Sequence, residues 1–455
     1  MRHRLPPSIL REYDIRGTVG RTLDAADATA IGRAFGSIVR RGGGRRVVVG
    51  RDGRLSSPTL EAALVEGLCA AGIDVVRIGV GPSPMLYHAE RHLDVDGGIQ
   101  VTGSHNPRDD NGFKMVLGHR PFFGSDITAL AALSEKGDVE SGAGRVSDAE
   151  TLIEYVARLV EGDSLAALRI GWDAGNGAAG PAVERLVQLL PGEHHLLFTQ
   201  VDGNFPNHHP DPTEESNLAD LKALVAREKL DFGVAFDGDG DRIGAVDGEG
   251  RVIAGDQLLS ILAEPVLRQR PGAAIVADVK ASATLFDRIA ELGGRPMMWK
   301  SGHSNIKTMM HEVGAPLAGE MSGHIFFGEL GGHDDALYAA VQLVRAIGAS
   351  GGTLAEMRDA MPAVVATPEL RFPVDEARRE AVVQEVLERL AADGAQVDRT
   401  DGARVTTQDG WWLLRASNTQ AMLTARAEAA DQAALDRLVA AIDAQLALSG
   451  VTRTA

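Results

Sequence analysis

The sequence predicts an α/β protein: three similar α/β units with mixed, mostly parallel sheets, followed by a smaller C-terminal α+β unit. Three observations predict it. A strand–turn–helix–strand pattern recurs three times, the grammar of parallel α/β folds. Each recurrence is followed by another short apolar strand ending in an unusual polar loop. Beyond Met361–Pro373 the pattern gives way to charged amphipathic helices and isolated strands. The 53 glycines and the 4% aromatic content suit many tight strand-to-helix turns. A length of 455 residues accommodates about three domains at roughly 150 residues each, with four within reach.

In the first unit, Arg46–Gly50 (RVVVG) is an apolar run of strand length ending in the polar turn Arg51-Asp52-Gly53. A helix is expected to start at Ser57-Pro58, with the serine as N-cap and proline at the first helical position. Leu60, Leu64 and Leu68 share one face of it, and Val75–Ile78 reads as the next strand. Leu168–Trp172 repeats the pattern, with a turn at Asp173-Ala174-Gly175-Asn176-Gly177 and a helix from about Pro181. Ala273–Ala277 repeats it again, with Asp278-Val279-Lys280 in the turn and a helix through Leu285 and Ile289. The strands leading into the polar loops are Gly98–Val101, Phe232–Phe236 and Pro316–Ala318. In the last unit Glu376–Leu390 and Leu435–Leu448 read as helices, Trp411–Arg415 and Met422–Glu428 as strands, and Ser449–Ala455 as a frayed end. Polar or proline-bearing breaks near Gly137–Asp148, Gly248–Ala254 and Met361–Pro373 divide the chain into 1–148, 149–252, 253–364 and 365–455.

The formal charge is −17, and the 44% apolar and 24% charged residues are ordinary for a soluble globular chain. An acidic surface repels nucleic-acid phosphate and anionic lipid, so neither nucleic acid nor membrane is expected as a partner. An anionic substrate must then be met by basic residues gathered locally. The single cysteine, Cys69, excludes an intrachain disulfide framework and a cysteine-rich zinc site. The start Met-Arg-His-Arg-Leu-Pro-Pro lacks the apolar stretch of a signal peptide, and no later run is long enough to span a bilayer, so a cytoplasmic location is expected.

The polar loops carry the chemistry. Asp237, Asp239 and Asp241 alternate with glycine, so an extended backbone would bring three carboxylates to one side. Clustered anions repel unless a cation sits among them, and an all-oxygen set suits magnesium or another hard divalent ion; the alternative is a solvated acidic turn. An EF-hand is excluded, because Arg242 stands where its glycine belongs and Gly248 where its glutamate belongs. Arg242 is the kind of cation that meets a phosphoryl group. Ser104 lies between Gly103 and the Asn106-Pro107 turn, so its hydroxyl is expected to be exposed, and no Gly-x-Ser-x-Gly elbow marks it as a hydrolase nucleophile. Lys114 follows closely enough to return across that loop. Glu320, Ser322 and His324 occupy alternate positions, which on an extended chain would aim a carboxylate, a hydroxyl and an imidazole the same way, a set able to hold vicinal sugar hydroxyls and handle a proton. Arg415-Ala416-Ser417-Asn418-Thr419 combines arginine, hydroxyls and amides as a phosphate cradle would. Tyr13-Asp14-Ile15-Arg16-Gly17 and Lys300-Ser301-Gly302-His303-Ser304 are weaker signals on their own.

Together these motifs closely resemble the α-D-phosphohexomutase superfamily: TGSHNP its phosphoserine loop, DGDGDR its magnesium loop, GEMSGH its sugar-binding loop and RASNT its phosphate-binding loop. Their order and spacing match from Tyr13 to Thr419, nearly the whole chain, and Met321 in GEMSGH is similar to the bacterial phosphomannomutase/phosphoglucomutase branch. Two departures are minor: Ser301 stands where threonine is expected and Ala421 where proline is common.

The resemblance implies four domains around a central active-site cleft and an enzyme that interconverts the 1- and 6-phosphates of mannose and glucose. Ser104 would carry a phosphoryl group, and Asp237, Asp239, Asp241 and a phosphoserine oxygen would hold one Mg²⁺ per chain. Arg242, Arg16 and Lys114 would stabilise transferring charge, with Lys114 or His324 as proton carrier. Glu320 and Ser322 would hold sugar hydroxyls, while Arg415, Ser417, Asn418 and Thr419 grip the distal phosphate. Tyr13, Lys280, His303 and His324 would complete the pocket. A hexose 1,6-bisphosphate would serve as intermediate and activator, and the protein would act on phosphohexoses as a monomer or weak homo-oligomer. Two other readings stand beside this one: a phosphoglucosamine mutase, which usually differs at Met321, and a metal-dependent sugar phosphatase, which would have threonine or valine at Asp241 and no need of Ser104.

Overall fold

The computed structural model describes residues 2–162, 164–417 and 422–453. Its first three sheets share one order. In each, four strands form a common part: the first of them is central, the second pairs with it in parallel on one side, the third pairs in parallel on the other, and the fourth turns back antiparallel to the third, with Ile15–Thr18 added at the edge of the first sheet. In the first sheet these strands are Arg46–Arg51, Asp74–Val80, Gly97–Val101 and Asp110–Leu117. In the second they are Leu168–Asp173, Gly192–Leu197, Phe232–Phe236 and Ile243–Asp247. In the third they are Ala274–Asp278, Arg295–Trp299, Leu317–Gly319 and Ile325–Phe327. The three polar loops therefore occupy one equivalent place, the reversal from third to fourth strand. Ligands of open α/β sheets gather beyond the carboxyl ends of the strands.

The central strands are continuous apolar runs because helices cover both faces; Val47, Val48 and Val49 are all fully buried. Helix Ala25–Arg41, which no motif marked, is closed at its start by a capping box from Asp24. It lies against helix Ser57–Ala70 so closely that a Cβ on Gly32 would stand 2.2 Å from the Leu64 carbonyl and one on Gly67 2.1 Å from that of Thr29. The expected cap at Ser57 is not formed. Ser57 is the first helical residue, and its hydroxyl donates instead to Asp52 while accepting from Asn111.

One apolar core runs through all three units, from Val48 and Tyr87 through Trp172 and Phe236 to Leu317 and Leu354. The fourth unit has its own. Its antiparallel sheet runs Val365–Ala366, Met422–Ala429, Gly410–Ala416, Ala403–Thr407, Gln396–Asp398, with Leu370–Pro373 also on Met422–Ala429. Side chains alternate along a strand. Trp412, Leu414 and Ala416 thus pack with helices Glu376–Ala392 and Gln432–Leu448, while Trp411 and Leu413 face the third unit and touch Val279. Arg415 falls on the same side as Trp411 and Leu413. Among the described residues no helix is long and apolar enough to cross a membrane.

Candidate functional site

Ser104 follows strand Gly97–Val101 in a left-handed conformation, φ +49°. Its hydroxyl is not exposed as expected. The residue is 1% accessible and donates to Asp237 Oδ2 at 2.7 Å. The acidic loop of the second unit covers it, and Gly238 permits the approach: a Cβ there would stand 2.3 Å from the Ser104 carbonyl. His105 Nδ1 lies 3.2 Å from the same hydroxyl. Burial, then the charges of Arg242, Arg16 and Lys114, push this imidazole well below the ordinary histidine range. Arg16 reaches the loop from strand Ile15–Thr18, donating to Asn106 and Asp14 at 2.5 Å each.

The three aspartates are gathered by a tight turn rather than an extended chain. Gly240 N–H donates to the Asp237 carbonyl at 3.1 Å with Gly240 at φ +69°, and Asp237 N–H donates to the Arg242 carbonyl at 3.3 Å. Asp237 Oδ1 also accepts from the N–H groups of Asp241 and Arg242, at 3.1 Å each, so the turn is held by its own first side chain. All three carboxylates are buried, with ligand atoms within 4.8 Å of one another. Lys114 Nζ donates to Asp239 Oδ2 at 2.7 Å and to Asp241 Oδ2, and Ser83 also donates to Asp239.

Burial and the neighbouring charges of Asp239 and Asp241 push the Asp237 carboxyl well above its ordinary range. Burial pushes Asp239 the same way but is outweighed by Lys114 and by hydrogen bonds from Lys114 and Ser83, which hold it low. Burial would lower Lys114, yet Asp239 and Asp241 keep it well above the usual lysine range. Among the described residues, Asp239 Oδ1 and Asp241 Oδ1 have no hydrogen-bond partner, although both are buried. Unpartnered carboxylate oxygens in an all-oxygen cluster suit a hard divalent cation, so these residues fit Mg²⁺.

Beside the cluster, Arg242 Nε donates to His324 Nε2 at 3.0 Å. His324 therefore accepts at Nε2, and its Nδ1 lies 2.8 Å from Asp334 Oδ2, while Asp334 Oδ1 pairs with Lys307 at 2.6 Å. Neither Asp334 nor Lys307 belongs to a recognisable motif; each acts through a neighbour distant in sequence.

The GEMSGH loop is also a turn. Glu320 N–H donates to the His324 carbonyl at 2.9 Å, Gly323 N–H to the Glu320 carbonyl at 3.0 Å, and Gly323 has φ +85°. Glu320 and His324 thus face each other across its base and Ser322 is half-buried nearer the tip, in place of three side chains aligned on an extended strand. Glu320 is raised by burial, partly offset by His324, and accepts from Gly302 N–H at 2.6 Å. Gly302 must be glycine: its φ is +114°, and a Cβ would stand 2.2 Å from the Tyr13 ring. Tyr13 donates to the Ser301 carbonyl at 2.8 Å and meets the His303 ring edge-on at 5.7 Å. Lys280 Nζ is 3.5 Å from Asp278, to which Ser301 also donates.

Arg415 Nε donates to Asp401 Oδ2 at 3.0 Å, and the same oxygen accepts from Ser301 N–H, also at 3.0 Å. Ser417 N–H donates to the Met422 carbonyl. Asn418 and Thr419, expected in the phosphate cradle, and Ala421 lie outside the described residues. The expected groups are thus joined pairwise across the units: Ser104 to Asp237, Lys114 to Asp239, Arg242 to His324, Tyr13 to Ser301, and Ser301 through Asp401 to Arg415.

Family models agree along the chain. Residues 7–139, 150–250 and 254–364 match the phosphoglucomutase/phosphomannomutase alpha/beta/alpha domains I, II and III, and residues 369–445 match the C-terminal domain of the same family. A phosphomannomutase/phosphoglucomutase of Pseudomonas aeruginosa is 44% identical over 437 residues, covering 95% of this chain and 94% of that one. A phosphoglucomutase of Neisseria gonorrhoeae is 42% identical over 94% of this chain and 95% of its own. The crystal structure of a phosphoglucomutase/phosphomannomutase family protein from Burkholderia thailandensis superposes with a TM-score of 0.93 at 43% identity, covering 99% of both chains. With matches to all four family domains, in order, around a site whose loops meet as described, the chain belongs to the phosphoglucomutase/phosphomannomutase family.

Proposed function

We propose that this chain is an isomerase, a phosphomannomutase/phosphoglucomutase that interconverts the 1- and 6-phosphates of mannose and of glucose by two phosphoryl transfers through Ser104. The observation that carries the reading is the Ser104 hydroxyl, 2.7 Å from Asp237 in a buried carboxylate cluster that also holds Lys114, with the Arg242–His324 pair beside it. Asp237, Asp239, Asp241 and a phosphoserine oxygen would hold one Mg²⁺. Bound there, the ion would draw charge from the transferring phosphoryl group.

The remaining work falls to the chain's own residues, and in phosphoryl transfer it is mostly positioning and charge stabilisation. In the first transfer the phosphorus–oxygen bond to Ser104 breaks as a bond to the free 1- or 6-hydroxyl of the sugar forms. Of the two expected proton carriers, Lys114 is held as an ammonium by Asp239 and Asp241 and has no lone pair to receive a proton, so the hydroxyl's proton leaves to His324, and Arg16 and Arg242 offset the charge on the phosphoryl oxygens. The product, a hexose 1,6-bisphosphate, turns end for end, and its other phosphate returns to Ser104. Bisphosphate that escapes can recharge an enzyme left without its phosphate, which makes it the activator. Glu320 and Ser322 hold sugar hydroxyls in both orientations, with Tyr13, Lys280, His303 and His324 around them. Arg415, Ser417, Asn418 and Thr419 grip whichever phosphate is distal. The domains divide at 148/149, 252/253 and 364/365, and the enzyme works in the cytoplasm as a monomer or weak homo-oligomer.

Phosphorus NMR tests the reaction. With a trace of glucose 1,6-bisphosphate and Mg²⁺, glucose 1-phosphate and mannose 1-phosphate should both convert to their 6-phosphates without release of inorganic phosphate. Release of phosphate, or turnover of glucosamine phosphates alone, would overturn the reading.

A further inference from the structure

The left-handed conformation of Ser104 needs a cause. A non-glycine residue at positive φ is uncommon and persists only where its surroundings over-determine it. Beneath the loop lies Arg54, only 1% accessible, a residue outside every motif singled out above. Its Nη2 donates to the carbonyls of Ser104 and Asn106 at 2.6 and 2.7 Å, and its Nη1 to those of Pro107 and Asp110 at 2.6 and 3.0 Å. Its Nε lies 3.2 Å from Asp52 Oδ2. That carboxylate oxygen also accepts from Gly103 N–H at 3.1 Å and from Thr102 Oγ1 at 2.8 Å, while Thr102 Oγ1 accepts from Ser104 N–H at 2.8 Å. Asp52 Oδ1 accepts from Arg54 N–H and Ser57 Oγ, tying the pair to the start of a helix. Both the N–H and the carbonyl of Ser104 are therefore fastened to one buried ion pair. Gly103 makes room for it, since a Cβ there would stand 2.5 Å from the guanidinium. Phe205 of the second unit covers the guanidinium, its ring centroid 5.4 Å away.

We propose that Arg54, with Asp52, is the positioning residue of the phosphoryl carrier: it fixes the backbone of Ser104 so that its side-chain oxygen points into the carboxylate cluster. The planar, five-donor guanidinium is what the arrangement requires. One fork binds four carbonyls of a single loop, which a lysine ammonium with three donors cannot reproduce. The argument rests on Ser104 as the phosphoryl carrier and adds the group that aims it.

The test uses the full-length protein primed with glucose 1,6-bisphosphate, in wild type, Arg54→Lys, Thr102→Val and Thr102→Ser. Peptide mapping first establishes whether wild type carries phosphate on Ser104; if it does not, the carrier reading itself fails, independently of Arg54. Given that phosphate, kcat of Arg54→Lys, corrected for the folded fraction by circular dichroism, should fall about 100-fold, as misplacing a reacting group does. KM for glucose 1-phosphate should stay within about twofold, because Glu320, Ser322 and Arg415, which grip the sugar and the distal phosphate, lie on other units. Thr102→Val loses the two hydrogen bonds through Oγ1 and should show a smaller fall in kcat alone, restored by Thr102→Ser. It also keeps the proposal open to refutation if Arg54→Lys does not fold. Wild-type kcat per folded molecule in Arg54→Lys, or in Thr102→Val if only that variant folds, would overturn the assignment, as would KM rising in step with the fall in kcat.

Discussion

The first three units and the fourth are built into the molecule in different ways. One apolar core joins the three α/β units, beside the separate cores that the first and third also keep, and the chemical groups at their junctions are buried and cross-linked, with Ser104 on Asp237 and Lys114 on two aspartates. The fourth unit keeps a separate core and docks on the third through Trp411 and Leu413 on Val279, Glu428 accepting from Ser282, Ala283 and Trp411, Arg426 donating to the Lys280 carbonyl, and Asp401 accepting from Ser301 N–H. Arg404 adds donated bonds to the carbonyls of Val279 and Ala281. Bond-making groups need fixed distances, and a shared core supplies them. A group that must hold either of two phosphates needs charge more than exact placement, and a unit with a core of its own can supply that. The contrast assigns the bond-making groups, and with them kcat, to the first region and the grip on the distal phosphate to the second.

The largest effect should come from removing the carrier. Ser104→Ala should lower kcat by about 10⁴-fold or more, by analogy with the loss of other covalent nucleophiles, while calorimetry still detects substrate binding. Near-normal turnover would break the contrast at its strongest point. Next comes the carboxylate cluster: Asp239→Asn should lower kcat by about 10³-fold, since a bound metal supplies several kcal/mol to the transition state. Excess chelator should silence the wild type reversibly, with Mg²⁺ restoring it and Zn²⁺ a poor substitute for an all-oxygen site.

The grip should respond more weakly and more evenly. Each charge-assisted hydrogen bond contributes about 1.5–3 kcal/mol, or about 10- to 150-fold in kcat/KM. Arg415→Ala and Glu320→Ala should therefore weaken glucose and mannose substrates alike, in both directions. A bias above about tenfold toward one sugar would mean that the grip reads the 2-hydroxyl, the only group in which the sugars differ. The smallest effect belongs to the dock itself. Glu428→Gln weakens one cluster of bonds worth about 1 kcal/mol and should raise KM about fivefold with kcat unchanged; a fall in kcat would show that the fourth unit shares in the chemistry.

Much of this was legible in the sequence because the three loops are contiguous and glycine-rich, and because their strands are unbroken apolar runs. Phe232–Phe236 is the strand the sequence predicts, residue for residue. What failed to show was geometry set by distant partners. Ser104 reads as an exposed loop serine, yet it is covered by a loop 133 residues away. The alternation of Asp237, Asp239 and Asp241 reads as an extended chain, whereas hydrogen bonds to the first aspartate fold it into a turn. Asp52 and Arg54 sit in a turn whose polar sequence looks ordinary; only the loop packed above, 50 residues on, gives them a role. Tyr13 and Ser301 are 288 residues apart, and no local pattern announces that contact.

The central claim is that the phosphoryl group passes through Ser104, and following it directly is the decisive measurement. The protein is charged with glucose 1,6-bisphosphate, freed of small molecules, and mapped by peptide mass spectrometry before and after a chase with glucose 6-phosphate. The account predicts one phosphate, on Ser104, present before the chase and transferred by it to the sugar as the bisphosphate. Full mutase activity with Ser104 unphosphorylated throughout, or a phosphate that the chase releases to water, would contradict it.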